Sequence, residues 1–149
     1  MSAITPEQVQ QFETDGYLIL ENLIDLEDID LILKIARKDP QLAENAKTNQ
    51  NYDGDEGIGT RLVYRGELSE DVYSAFAQSR RIIDVLSILF EDQVSYYYHL
   101  CTLKNPGTGG WQWHQDYGYH YKEFFTPKFM SVMVALDEAT AQNGCLRVV

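Results

Sequence analysis

Cysteine is scarce in this chain, cations are outnumbered and long apolar runs are missing. Each shortage closes off a class of protein. The cysteines among its 149 residues are Cys101 and Cys145. Two thiols make no disulfide framework, and neither has the CxxC or Cys/His spacing of a zinc site. Both lie in apolar, strand-like runs, where cysteine acts as a small buried hydrophobe. Lys and Arg number 12 against 23 Asp and Glu, for a net charge of −11. Nucleic acid and anionic membranes need clustered cations, so neither is an expected partner. The adjacent Arg80-Arg81 reads as a solvated helix start. No segment approaches the ~18 apolar residues of a membrane span, and no basic stretch precedes an apolar one at the N-terminus. The expectation is a soluble, cytoplasmic protein. A hydrophobic content of 44% and an aromatic content of 12% suffice for one domain, residues 1–149, with a real core.

The local patterns divide that domain. Thr5-Pro6-Glu7-Gln8 reads as a capping box that starts a helix ending before Gly16. Tyr17 to Leu20 follows as a short strand. Asp25 caps a second helix with Leu26, Ile29, Ile32, Leu33 and Ala36 at 3–4 spacing, stopped by Lys38-Asp39-Pro40. Residues 41–59 read as a polar loop; its Asp53-Gly54-Asp55-Glu56 lacks the spacing and closing Glu of a calcium loop. Arg61 to Arg65 is a strand. Ser69 and Ser79 cap two more helices, the second running from Ile82 to Phe90. From there the texture turns β-branched and aromatic. Strands are expected over Val94–Leu103, Trp111–Tyr121, Phe129–Leu136 and Cys145–Val149, with a Gly/Pro loop at 105–110 and a turn around Gln142-Asn143-Gly144. Residues 1–92 are thus mainly helical and 93–149 mainly strand. That order predicts an α+β fold with an antiparallel sheet.

Within the strand-rich part lies Trp113-His114-Gln115-Asp116. On an extended strand, His114 and Asp116 point the same way because side chains alternate. An imidazole beside a carboxylate is two-thirds of the set that holds non-haem Fe(II) on one face and leaves the other open. On spacing alone, a histidine in a strand is more often an ordinary surface or core residue than a ligand, and an isolated H-x-D has low specificity. Trp111, Trp113, Tyr117, Tyr119 and Tyr121 flank it as a cavity wall or simply as core. No third ligand stands out. His120 is ~13 Å along the strand from Asp116, within reach only if the chain folds back at Gly118. His99 would come near only if its strand pairs with this one. No nucleophile-elbow sequence suggests a Ser/His/Asp site.

Three segments resemble the phytanoyl-CoA dioxygenase family. Phe12-Glu-Thr-Asp-Gly16-Tyr-Leu-Ile-Leu20 to Asp25 is similar to its N-terminal signature. Lys104-Asn-Pro-Gly-Thr-Gly-Gly-Trp-Gln-Trp113-His114-Gln115-Asp116 is similar to its iron-binding segment. Val134-Ala-Leu-Asp-Glu-Ala139 to Leu146 resembles the strand and turn that follow. The resemblance implies a double-stranded β-helix, a cupin-like jelly roll of eight core strands with N-terminal helices. It implies Fe(II) held by His114, Asp116 and a distal His, with 2-oxoglutarate as co-substrate. Leu100 and Met133 match positions that line the co-substrate pocket in relatives, and Arg61 lies near a Lys that helps bind it. The implied reaction hydroxylates a small organic molecule and releases succinate and CO₂. A carboxylate at Asp116 favours hydroxylation over halogenation, which needs a small residue there.

Relatives continue past the Cys145–Val149 match with further strands, the distal His and an Arg clamp for 2-oxoglutarate. The expectation is therefore a jelly roll truncated before its last core strands, with strand edges open to self-association. The alternatives are a non-catalytic relative acting as a binding module, a subunit that needs a complementing chain, and a metal-free small-molecule barrel.

Overall fold

The computed structural model describes residues 3–44, 60–108 and 110–149. The Asp53–Glu56 acidic cluster and most of the expected 41–59 loop lie outside them. Among the described residues, eight elements run in the order α1 (Pro6–Asp15), α2 (Leu26–Ala36), α3 (Pro40–Glu44), β1 (Arg61–Arg65), α4 (Val72–Ala77), α5 (Arg80–Phe90), β2 (His99–Leu103) and α6 (Asp116–His120). Among the described residues no helix is long and apolar enough to cross a membrane. The chain forms two compact units, Met1–Ile32 with Arg65–His99, and Leu33–Tyr64 with Leu100–Val149.

The first unit is helical because its helix ends are satisfied locally. Thr5 and Gln8 form the expected capping box, each side chain bonding the other's backbone N–H at 3.3 and 2.8 Å. Gly16 ends α1 in the left-handed conformation at φ +77°, its N–H donating to the Phe12 carbonyl. At α2 the Asp25 carbonyl accepts the Asp28 and Ile29 N–H groups, both at 3.1 Å. The Asp25 carboxylate serves elsewhere, receiving two bonds from the Arg81 guanidinium at 3.0 and 2.5 Å. α1 packs against α5, and Ile4, Ile32, Tyr73, Ile82 and Val85 are buried in this unit.

Two helix starts differ from the sequence reading. α4 is capped by Asp71, whose carboxylate accepts the Ser74 N–H at 2.7 Å, and not by Ser69. A carboxylate is the stronger acceptor and complements the helix dipole. Ser69 supports that cap, donating its hydroxyl to Asp71 at 2.6 Å. Ser79 precedes α5 as expected, but only its backbone caps, and the helix begins at Arg80. A short helix, α3, also starts at Pro40, where the sequence suggested only a stop. Pro suits a first helical turn, and Asp39 accepts the Gln41 N–H at 2.8 Å.

The second unit holds a two-stranded sheet, β1 beside β2. Val63 and Cys101 are buried from its two strands, with Ala36, Leu42 and Thr60. The mixture of helix and sheet agrees with the α+β expectation at that coarse level. Tyr17–Leu20, residues 94–98, Trp111–Tyr121, Phe129–Leu136 and Cys145–Val149 are not strands. A strand is fixed by a neighbour that accepts its backbone hydrogen bonds, and intrinsic propensity alone does not fix one. The expected turn does form: the Cys145 N–H reaches the Thr140 carbonyl at 2.9 Å, and Asn143 bridges Thr140 and Glu138.

Candidate metal centre

His114 and Asp116 meet, though not on a strand. Gln115 is extended, with φ −111° and ψ 129°, and Asp116 then opens the short helix α6. The extended residue brings the two neighbours to one side, and the helical turn carries Asp116 back toward the ring. His114 Nε2 lies 3.1 Å from Asp116 Oδ1. An acid at the first helical position and His120 in the last turn both complement the helix dipole. That charge order was the available sequence signal for helix; the aromatic run suggested strand.

The other imidazole nitrogen decides what this contact is. His114 Nδ1 lies 2.5 Å from the Gln112 carbonyl. A carbonyl only accepts, so Nδ1 carries the proton. In the neutral ring Nε2 then has a lone pair, aimed at a carboxylate oxygen that also offers only lone pairs. Such a pair is stable when a proton or a cation lies between the two atoms. Donors ~2.1 Å from one ion and at right angles to each other stand about 3 Å apart, as these do. Fixing the tautomer through the far nitrogen is also how metal-binding histidines are held. The residues present therefore fit a first-row divalent transition-metal cation as two neighbouring ligands.

The surroundings are partly open. The His114 side chain is 32% exposed and that of Asp116 40%, so solvent or a small ligand can reach the pair. The Tyr119 ring stands edge-on to His114 at 5.3 Å between centroids. The Arg147 guanidinium lies 5.6 Å over the Trp113 ring. The Ser131 hydroxyl donates to Asp116 Oδ2, a partner that the sequence reading did not include. A serine in an apolar, strand-like segment was its only signal.

The remaining sequence candidates are spread over other elements. Arg61 is half-buried at the start of β1. Leu100 on β2 and Met133 beyond α6 are exposed. Among the described residues no hydrogen bond or ion pair joins Arg61 to the His114–Asp116 pair, and no group of three or more His, Cys, Asp or Glu is clustered for a metal. His120 faces Glu123 at 3.3 Å and stacks on Phe129. His99 Nδ1 lies 2.8 Å from the Tyr96 hydroxyl, and its buried Nε2 has no hydrogen-bond partner among the described residues. Burial pulls the His99 imidazole below its ordinary value; the Arg65 charge adds to this and Asp71 partly opposes it.

Residues 12–149 match the family described as Phytanoyl-CoA dioxygenase (PhyH). The chain is 29% identical to an ectoine dioxygenase of Sphingopyxis alaskensis, over 98% of this chain and 49% of the relative. It is 25% identical to an ectoine dioxygenase of Stutzerimonas stutzeri, over 96% and 48%. A 2-aminoethylphosphonate dioxygenase of an uncultured bacterium is 26% identical, over 99% and 58%. The chain thus spans about half the length of the curated relatives it matches. No solved structure matches it significantly.

Proposed function

Because the chain belongs to the phytanoyl-CoA dioxygenase family, we propose that it works as an Fe(II)- and 2-oxoglutarate-dependent oxygenase, with His114 and Asp116 as two of its iron ligands. The observation that carries this is the geometry of the pair: His114 Nε2 stands 3.1 Å from Asp116 Oδ1 while Nδ1 lies 2.5 Å from the Gln112 carbonyl. One nitrogen and one carboxylate oxygen suit iron of this kind and leave further positions free. Bound iron would supply the activation of dioxygen, coupled to the conversion of 2-oxoglutarate to succinate and CO₂.

The protein's own part is orientation. The Gln112 carbonyl fixes the His114 tautomer. Asp116 offers Oδ1 next to it, since Oδ2 is taken by Ser131. Arg61 is assigned to a carboxylate of 2-oxoglutarate, for which its guanidinium offers a paired, charge-assisted contact. Leu100 and Met133 are assigned to cover the co-substrate's apolar carbons. Both are exposed and free to do so. The family match runs unbroken through residues of both units, which supports one domain over 1–149. Segments 129–136 and 145–149 are assigned to a jelly roll, where neighbouring strands would accept their backbone bonds.

The substrate is a small organic molecule that undergoes hydroxylation. Relatives of similar identity carry two different substrate names, so the resemblance does not single one out. The test is Fe(II)-dependent release of succinate from 2-oxoglutarate by the purified protein, with His114→Ala and Asp116→Ala alongside. The expected result is turnover that requires iron and falls about a hundredfold or more in either variant. Turnover that is equal in the variants would overturn the assignment.

A further inference from the structure

The two oxygens of Asp116 are used differently. Oδ1 faces His114 Nε2 at 3.1 Å, and Oδ2 accepts the Ser131 hydroxyl. We propose that Ser131 is the positioning residue of this centre: it holds Oδ2 so that Asp116 presents a single oxygen to the metal. The inference rests on His114 and Asp116 being the metal-holding pair.

A carboxylate turns readily about its last carbon–carbon bond. Left free, it can point away from the ring or close on a cation with both oxygens. The first loses a ligand. The second occupies a position that a co-substrate needs. A hydroxyl donor on one oxygen opposes both, because turning the group breaks the bond. Hydrogen bonds to ionised groups are the stronger ones. Ser131 comes from a segment fifteen residues further along, outside the helix that carries Asp116. It therefore sets the rotation of the carboxylate independently of α6. Each donor then has its own outer partner, the Gln112 carbonyl for His114 and the Ser131 hydroxyl for Asp116. Partners of this kind are typically worth 10–100-fold in metal affinity.

The test needs no turnover. Mn(II), a paramagnetic and redox-quiet cation that accepts the same N and O donors, is titrated into the 149-residue protein labelled at histidine. The readout is line broadening of its three imidazoles. His99 and His120 serve as internal references. The expected result is that His114 broadens first, and that Asp116→Asn removes this preference. Ser131→Ala should need about tenfold more Mn(II) for the same broadening of His114, and Ser131→Thr, which keeps the hydroxyl, should restore it. If Ser131→Ala does not fold by amide dispersion, Ser131→Cys replaces it, keeping the size with a weak donor; the same loss is expected. Superimposable curves for wild type and Ser131→Ala, with Asp116→Asn defective, would overturn the role of Ser131 and leave the metal pair standing. A loss in Ser131→Ala that Thr does not restore would overturn positioning in favour of folding. Equal broadening of all three rings in the wild type would overturn the metal pair, and the role of Ser131 with it.

Discussion

Residues 65–99 and residues 104–149 solve the same problem in different ways. In the first stretch, backbone groups are satisfied within helices and side chains close the ends. Asp71 caps α4, Arg65 lies 4.4 Å over the Tyr73 ring, and Tyr96 donates to the Arg65 carbonyl at 2.8 Å. Tyr73, Ser74, Ile82 and Val85 are buried. In the second stretch no described residue is buried. Its order comes from single polar clips: Lys104 to the Gly144 carbonyl at 2.9 Å, and Arg37 to Asp137 at 2.6 Å. Trp113, Tyr119, Phe125, Met133 and Leu146 all face solvent. A helix carries its hydrogen bonds with it, whereas a strand-forming sequence depends on neighbours. The candidate metal centre sits in the part that depends on neighbours.

If that contrast is right, equal truncations should have unequal effects. Ile82→Ala, in the buried face of α5, should cost about 2–5 kcal/mol in urea unfolding. Leu146→Ala, which removes a comparable side chain from an exposed site, should stay within about 0.5 kcal/mol. Similar losses at both positions would erase the distinction.

A smaller effect tests the clips. Gly144 has φ +82°, and a Cβ there would stand 2.8 Å from Lys104 Nζ. Gly144→Ala should cost about 1–3 kcal/mol through strain and loss of that contact. Lys104→Met removes the clip without strain and should cost less than half as much. Equal costs would mean that the backbone conformation contributes nothing.

The smallest effect lies in the helical unit and depends on pH. The folded His99 value is lowered, chiefly by burial. The unfolded chain, with an ordinary value near 6.5, therefore takes up the proton first. The stability that His99 contributes is full above about pH 6.5 and is lost as pH falls through its lowered folded value. His99→Gln should flatten the decline in unfolding midpoint from about pH 7.5 to about pH 5. An unchanged slope would show that the ring is not the source.

The same contrast governs how much the sequence could reveal. Thr5-Pro6-Glu7-Gln8 named a helix start because every partner in a capping box is within three residues. Arg61–Arg65 and the end of the Val94–Leu103 run were legible as strands, since each has the other as neighbour. His114 and Asp116 were legible as a pair, because one extended residue between them suffices. Phe129–Leu136 has the composition of a strand, but its state is set by what lies beside it. Asp71 prevailed over Ser69 by being the stronger acceptor two residues later. Ser131 stood out only as a serine in an apolar segment, because a bond across fifteen residues leaves no periodicity that would name its partner.

The cation–π contact between Arg147 and Trp113 has a practical side. It sets Arg147 against the residue that precedes His114. The indole of Trp113 therefore reads the segment that carries His114. The tryptophans of the sequence are Trp111 and Trp113, so Trp111→Phe leaves Trp113 as the sole indole emitter. Arg147→Ala in that background should shift its fluorescence, and the shift follows the state of this segment with no metal present.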